Sequence, residues 1–318
     1  VRLHEETVIR AIAQLRRRFK QRTFGVVTGA LERRLPDRVA DRLEAVRRTG
    51  NPDWVDHGTA PLDALGDVAD ALVDRRARLP GVFDDAPATW LERPDPTTGD
   101  VLDRDAVTAE VAGLLIAGHA TVAAALSWAG VLLASHPDVR NRVAAEARRA
   151  SLLTGDRGSA DGDPWTYAAV ADALPTACRV WRETLRLYPA LPVYGRTSRR
   201  PVTLAGYSFP AETTLLVSPY VTQRDPAYWT EPTRFDPERF RPDRRGDRHE
   251  FAYYPFSGGP HSCIGRHVAT IEGAVALAVL CREYDFSMTD GTAPRGVDSA
   301  INLVPAGDPR IRLRPRTR

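Results

Sequence analysis

Apolar residues recur at helical spacing along most of this chain, and the places where the recurrence stops divide it into elements. Within residues 1–49, Val8, Ile9, Ile12, Leu15 and Phe19 lie three or four apart among arginines, which predicts helix. Residues 52–66 interrupt the pattern and residues 67–78 resume it. The stretch 93–100, Arg-Pro-Asp-Pro-Thr-Thr-Gly-Asp, is dense in turn formers and predicts a loop. Residues 103–134 then read as one long helix, 165–187 as a second and 266–282 as a third, with a small polar loop over 155–162. Short runs at 202–207, 213–218 and 311–313 predict strands, punctuated by Gly206 and Pro210.

The stretch 111–134 is apolar enough to raise the question of a membrane span. Its richness in alanine and glycine, His119 and Thr121 in mid-run, and its end at Ser135-His136-Pro137 without a basic flank favour the central helix of a large domain instead. No membrane span is therefore expected in this chain.

Composition narrows the class. The chain has 318 residues and 43% apolar content, enough for a substantial core in one domain over 1–318. Three cysteines are an odd count; Cys178 and Cys281 sit in helical apolar patterns and read as reduced core residues of a cytoplasmic protein. The net charge is +3, and Lys20 is the sole lysine among 44 basic residues. The run 16–22, Arg-Arg-Arg-Phe-Lys-Gln-Arg, reads as a solvated helix face: no aromatic platform or nucleic-acid motif accompanies it, so no nucleic-acid partner is expected. The single methionine is Met288, so the sequence does not begin with an initiator.

The candidate chemistry lies at 256–266, Phe-Ser-Gly-Gly-Pro-His-Ser-Cys-Ile-Gly-Arg, where a glycine-rich turn delivers Cys263 to the start of a long helix. Gly258 and Gly259 permit a tight turn and Pro260 stiffens its exit. Backbone N–H groups and a helix N-terminus favour a thiolate over a thiol. Such a thiolate could be a nucleophile, a zinc ligand or the axial ligand of a haem iron. His261 and His267 are near in sequence, but the paired cysteines of local zinc sites are missing. A nucleophile would need a base supplied by tertiary structure, and a buried structural cysteine is the plainest alternative.

The pattern Phe256-x-x-Gly259-x-His261-x-Cys263-x-Gly265 resembles the haem-binding loop of the cytochromes P450. Three further stretches, in family order, resemble the same family: Ala117-Gly118-His119-Ala120-Thr121 in the central helix, Glu183-Thr-Leu-Arg186, and Phe235-Asp-Pro-Glu-Arg239-Phe240. The resemblance implies a mainly α fold with small β sheets, the P450 fold. Residues 1–102 would form entrance helices and loops, with Phe19, Phe24 and Val27 as weak pocket candidates, and 103–318 the haem-binding core. It also implies further residues ahead of Val1.

By the resemblance, haem b is the cofactor and Cys263 its metal ligand. Phe256 and Gly265 frame that ligand, loop N–H groups bond its sulfur, and His261 and Arg196 hold haem propionates. Thr121 matches the hydroxyl that positions oxygen and water, with Ala117 and Gly118 leaving room and the helix able to widen there. The family usually has an acid before that threonine, where this chain has Ala120. Glu183, Arg186 and Arg239 would form a structural lock, and Leu191, Val193 and Leu303 would touch substrate. The implied reaction inserts one oxygen atom of O2 into a lipophilic small molecule, with electrons from a separate ferredoxin and its reductase. A peroxide-using variant and a non-catalytic remnant are the alternatives.

Overall fold

The computed structural model describes residues 60–316, except 83, 95–97, 155–164, 245, 300–301 and 308. The readings made for residues 1–59 lie outside the described residues. The chain forms two compact units, 1–120 and 121–318, and the division falls within one long helix.

In the first unit, α1 (Ala60–Ala77) and α2 (Ala86–Glu92) precede α3 (Arg104–Ser135), which continues into the second unit. Helix α1 begins earlier than the expected residue 67. Pro61 stands in its first turn, where a missing N–H leaves no bond unmade, so the proline opens the helix and does not break it. Asp85 caps α2 by accepting the Ala88 N–H, and the Arg76 guanidinium bonded to the same carboxylate holds it below its ordinary pKa. Ala69 and Val73 of α1 and Val107 and Val111 of α3 form a small buried cluster. Arg104 ties the two helices through Asp70 and Asp74.

The second unit holds α4 (Pro137–Arg149), α5 (Ser151–Thr154), α6 (Tyr167–Ala173), α7 (Pro175–Leu187), α8 (Pro219–Thr222) and α9 (Arg266–Glu283), and all of these but α8 contribute to the main core. Leu133, Val143, Leu174, Val180, Trp181, Leu277 and Cys281 are buried there. Gly273 lets α9 meet the Trp181 indole: a Cβ at that position would lie 2.3 Å from the ring. The helix expected over 165–187 is two helices. Pro175 supplies no N–H to continue the ladder past Leu174, and the next two amides, Thr176 and Ala177, donate instead to the Glu146 carboxylate of α4 at 2.7 and 2.9 Å.

Four antiparallel ribbons complete the unit. β1 (Tyr194–Thr197) pairs with β4 (Thr214–Val217), and β2 (Val202–Leu204) with β3 (Tyr207–Phe209). β5 (Tyr284–Met288) pairs with β8 (Ile311–Pro315), and β6 (Val297–Ser299) with β7 (Leu303–Pro305). The strand expected over 202–207 is thus a hairpin. Ala205 and Gly206 turn it, both in the left-handed region at φ 49° and 84°, as a two-residue loop between twisted strands requires.

Helix α3 is α-helical throughout, so the local widening expected near Thr121 is not present. Among the described residues it is the one helix long and apolar enough to cross a membrane, with a mean hydropathy of 1.6 in its most apolar window, 17% of which is buried. Burial concentrates at its ends: no residue from Ala112 to Ala123 is buried, while Ala125, Ala129 and Leu133 enter the main core.

Candidate functional site

The loop ahead of α9 is held by its backbone. The Cys263 N–H donates to the Phe256 carbonyl at 2.9 Å, and the Ser262 N–H closes a tight turn on the Gly259 carbonyl at 3.0 Å. The two residues in the left-handed region are Ser257 (φ 61°) and Gly259 (φ 70°). Gly258, expected to share in the turn, is extended, and its role is space: a Cβ there would lie 2.9 Å from the Phe251 ring. Gly265 is the capping residue just before α9, and Phe256 packs against the main core.

Cys263 is exposed on this loop, while Cys178 and Cys281 are buried. Burial pushes the Cys178 thiol up to about 11 and the Cys281 thiol up to about 12, so both are inert fillers of the core. Among the described residues no amide donates to the Cys263 sulfur, contrary to expectation; the Cys263 amide itself donates to the Phe256 carbonyl. Ile264 and Val268 beside the cysteine are exposed apolar side chains.

Strand β1 runs along the loop. The Tyr194 hydroxyl donates to the Pro255 carbonyl at 2.5 Å, and burial pushes this phenol up to about 12. Arg196, exposed, places Nη2 2.9 Å from the Ser257 Oγ. The structure thus brings Arg196 to the loop that carries Cys263. A cavity of about 510 Å³ lies against the same loop, lined by Tyr194, Arg196, Phe251, Tyr254, Ser257 and Gly259 among others. His261 is exposed on the tight turn itself, Val193 is exposed and Leu191 half-buried just before β1. Leu303 is buried; its carbonyl accepts the Trp128 indole N–H at 3.0 Å and its own N–H donates to the Ala190 carbonyl. Ala117, Gly118 and Thr121 lie along α3, with Thr121 one turn beyond Ala117 on the same face.

Beneath the loop the expected lock is present. Arg186 Nε and Nη2 grip both oxygens of Glu183 at 2.7 and 2.8 Å, and Arg239 Nε reaches Glu183 Oε1 at 3.0 Å. Glu183 and Arg186 are fully buried and Arg239 nearly so. Burial pushes the Glu183 carboxyl upward, opposed first by the Arg186 bonds and then by the Asp236 amide and Arg239. The spare guanidinium donors end on backbone: Arg186 on the carbonyls of Gln223, Pro232 and Arg234, and Arg239 on those of Thr230, Glu231 and Arg234. Planar forks suit this because each N–H has a fixed direction.

Two parts of the lock were not foreseen. Gln223, fully buried, donates to the carbonyls of Leu185 and Arg186 and accepts the Tyr254 N–H at 2.9 Å, so it links the lock to the residues just before Phe256. Trp229 lies under the Arg186 guanidinium at 4.8 Å and donates its indole N–H to the Ala252 carbonyl. A buried amide or indole announces itself only by its partners. The one sequence cue was the turn-forming Gln-Arg-Asp-Pro at 223–226.

These residues fit a haem rather than a zinc ion. Among the described residues no three His, Cys, Asp or Glu side chains gather into a metal set. Zinc needs about four protein ligands in such a site, whereas haem iron brings four nitrogens of its own and asks the protein for an axial thiolate. One exposed sulfur on a braced loop, with a guanidinium and an imidazole nearby for carboxylates, meets that need.

Comparison with known proteins agrees. The family model described as Cytochrome P450 matches residues 88–309. Human cytochrome P450 4V2 is 33% identical over 218 residues, covering 69% of this chain and 40% of that protein. Putative cytochrome P450 137 of Mycobacterium tuberculosis shows the same identity and coverage. The chain therefore spans about two-fifths of the length of these curated relatives. Among solved structures, the haem domain of cytochrome P450DA superposes with a TM-score of 0.74 at 26% identity, covering 98% of this chain and 61% of that one. The retinoic acid-bound cyanobacterial CYP120A1 gives 0.68 at 25%, covering 81% and 57%. On the family match across residues 88–309 and the lock beneath the Cys263 loop, the chain belongs to the cytochrome P450 family.

Proposed function

We propose that this chain carries the haem-binding part of a haem-thiolate monooxygenase, with Cys263 as the axial ligand. The observation that carries the reading is Cys263 itself: the one exposed cysteine, on a loop fixed by the Cys263–Phe256 bond and braced through Gln223 by the Glu183 lock. The P450 family holds haem b, and when bound the haem activates oxygen with the push of its thiolate. The chain's own residues bind and orient. Arg196 and His261 are the partners for the propionates, and Phe256 and Gly265 frame the sulfur. Leu191, Val193 and Leu303 are the apolar contacts for a lipophilic substrate.

On α3, the Thr121 hydroxyl positions water and holds a proton for the distal side. Ala117 and Gly118, one turn earlier, present little side chain. The C-terminal third of α3 lies in the protein core, which supports a central helix over a membrane span. Buried, unpaired Cys178 and Cys281 suit the cytoplasm. Electrons would come from a ferredoxin and its reductase, for which exposed Arg266 beside the loop offers a positive docking point.

The test is isotopic. With ferredoxin, reductase and a panel of fatty acids and terpenoids, products formed under ¹⁸O2 should carry one ¹⁸O atom. Product that takes its oxygen only from added peroxide contradicts the monooxygenase reading. That outcome is the second reading, favoured by Ala120, which cannot relay a proton where the family usually has an acid. Under the first reading, Ala120→Glu raises the share of electrons that end in product, and Thr121→Ala lowers it and releases more peroxide.

A further inference from the structure

Strand β1 lays one face along the loop that carries Cys263. Tyr194 and Arg196, two residues apart, share that face and stand opposite Val217 and Leu215 of β4. From it the Tyr194 hydroxyl donates to the Pro255 carbonyl at 2.5 Å, and Arg196 Nη2 reaches the Ser257 Oγ at 2.9 Å. On the other flank Gln223 accepts the Tyr254 N–H at 2.9 Å. Three of four consecutive loop residues are thus fixed by side chains from outside the loop. The fourth is Phe256, whose carbonyl takes the Cys263 N–H at 2.9 Å.

Gln223 belongs to the lock and Arg196 is assigned to a propionate, but Tyr194 has no other duty. Proline lacks an N–H, so the carbonyl is the one hydrogen-bonding group that Pro255 offers, and among the described residues no other donor reaches it. That oxygen lies in the plane of the peptide joining Pro255 to Phe256, so holding it holds the whole plane. On the far side Ser257 sits in the left-handed region at φ 61°, which a residue with a Cβ adopts only when its surroundings enforce it. With the peptide before Phe256 and the residue after it both fixed, the Phe256 carbonyl has one direction to point. Release of the Pro255 oxygen frees that plane to rotate, and the Cys263 amide then loses its acceptor.

We infer that Tyr194 is a positioning residue for the iron ligand: its hydroxyl, through the Pro255 carbonyl, aims the Phe256 carbonyl that holds the Cys263 backbone and so keeps the sulfur placed as an axial thiolate. This rests on the haem reading above. The ring of Tyr194 is half-buried and fills space against the strand pair, while the ordering of the loop belongs to the O–H alone.

The test compares haem-loaded wild type with Tyr194→Phe, which keeps the ring and removes only the donor. The reduced carbon monoxide complex of wild type should hold its strongly red-shifted Soret band, and the variant should lose it about tenfold faster to the shorter-wavelength band of an iron without thiolate. Hydrogen exchange at the Cys263 amide should rise by about the same factor. Tyr194→4-aminophenylalanine returns an N–H donor to the position of the hydroxyl and should restore both readings. Should Tyr194→Phe fail to load haem, an aminophenylalanine form that loads it and keeps the band supports the same role. A Phe variant that matches wild type in band lifetime and Cys263 exchange overturns the inference, even if its unfolding midpoint falls. An aminophenylalanine form no better than the Phe variant does the same, because the donor then decides nothing. A wild type that never forms the red-shifted complex overturns the haem reading instead.

Discussion

Glu183 and Cys263 stand at opposite extremes of exposure, and each is placed by what surrounds it. Glu183 is sealed from solvent and has its carboxylate taken by two arginines and a backbone amide. Cys263 is open to solvent and has its own amide tied down, leaving the sulfur without a described donor. The buried polar bonds gather at Glu183, while the Cys263 sulfur stays open to solvent, as its proposed role as a ligand requires. Gln223 is the mechanical link, since one side chain touches both the lock and the backbone of Tyr254.

Breaking the sealed side should cost most. Glu183→Ala leaves Arg186 and Arg239 as buried cations without a counter-charge, and should lower unfolding free energy by about 3–5 kcal/mol in a denaturant titration. An unshifted midpoint would mean that the lock carries no stability. Gln223→Leu abandons the Tyr254 amide and two carbonyls, for an expected loss of about 1–3 kcal/mol. It should also raise hydrogen exchange at Tyr254, and protection there equal to wild type would disconnect the lock from the loop.

Changing the open side should cost little in stability. Cys263→Ser in the haem-free protein should stay within about 0.5 kcal/mol of wild type, as for other exposed positions. A large loss would show that the sulfur is a packing atom.

A last effect, confined to alkaline pH, concerns the buried thiols. Their folded pKa values, about 11 and about 12, lie above the value of 9.0 for a free thiol. The stability they lend is therefore complete below about pH 9 and drains away as pH climbs through 11 to 12. Replacing both Cys178 and Cys281 with alanine should flatten that alkaline decline. An unchanged slope would assign it to other groups, such as Tyr194.

The sequence made the open side easier to read than the sealed one. Phe256, Gly259, Cys263 and Gly265 fall within ten residues, and local spacing suffices to mark a loop of this kind. Glu183 with Arg186 could be paired from helical spacing, and Arg239 was added only through the family resemblance. Gln223 and Trp229 act across 31 and 23 residues, on backbone groups that no pattern advertises. Errors in the elements came from prolines and turns. Pro61 opens a helix, Pro175 divides one, and Ala205-Gly206 folds an apparent strand into a hairpin. In each case the residue was visible and its position relative to the helix or strand end decided its effect. The Tyr194–Pro255 bond joins residues 61 apart and left no local trace.

The most direct test is the absorption spectrum of the reduced carbon monoxide complex, recorded for haem-loaded wild type and Cys263→Ser. If Cys263 is the thiolate ligand, wild type shows the strongly red-shifted Soret band and the serine variant, still holding haem, does not. A serine variant that keeps the band would show that the iron takes its sulfur from elsewhere.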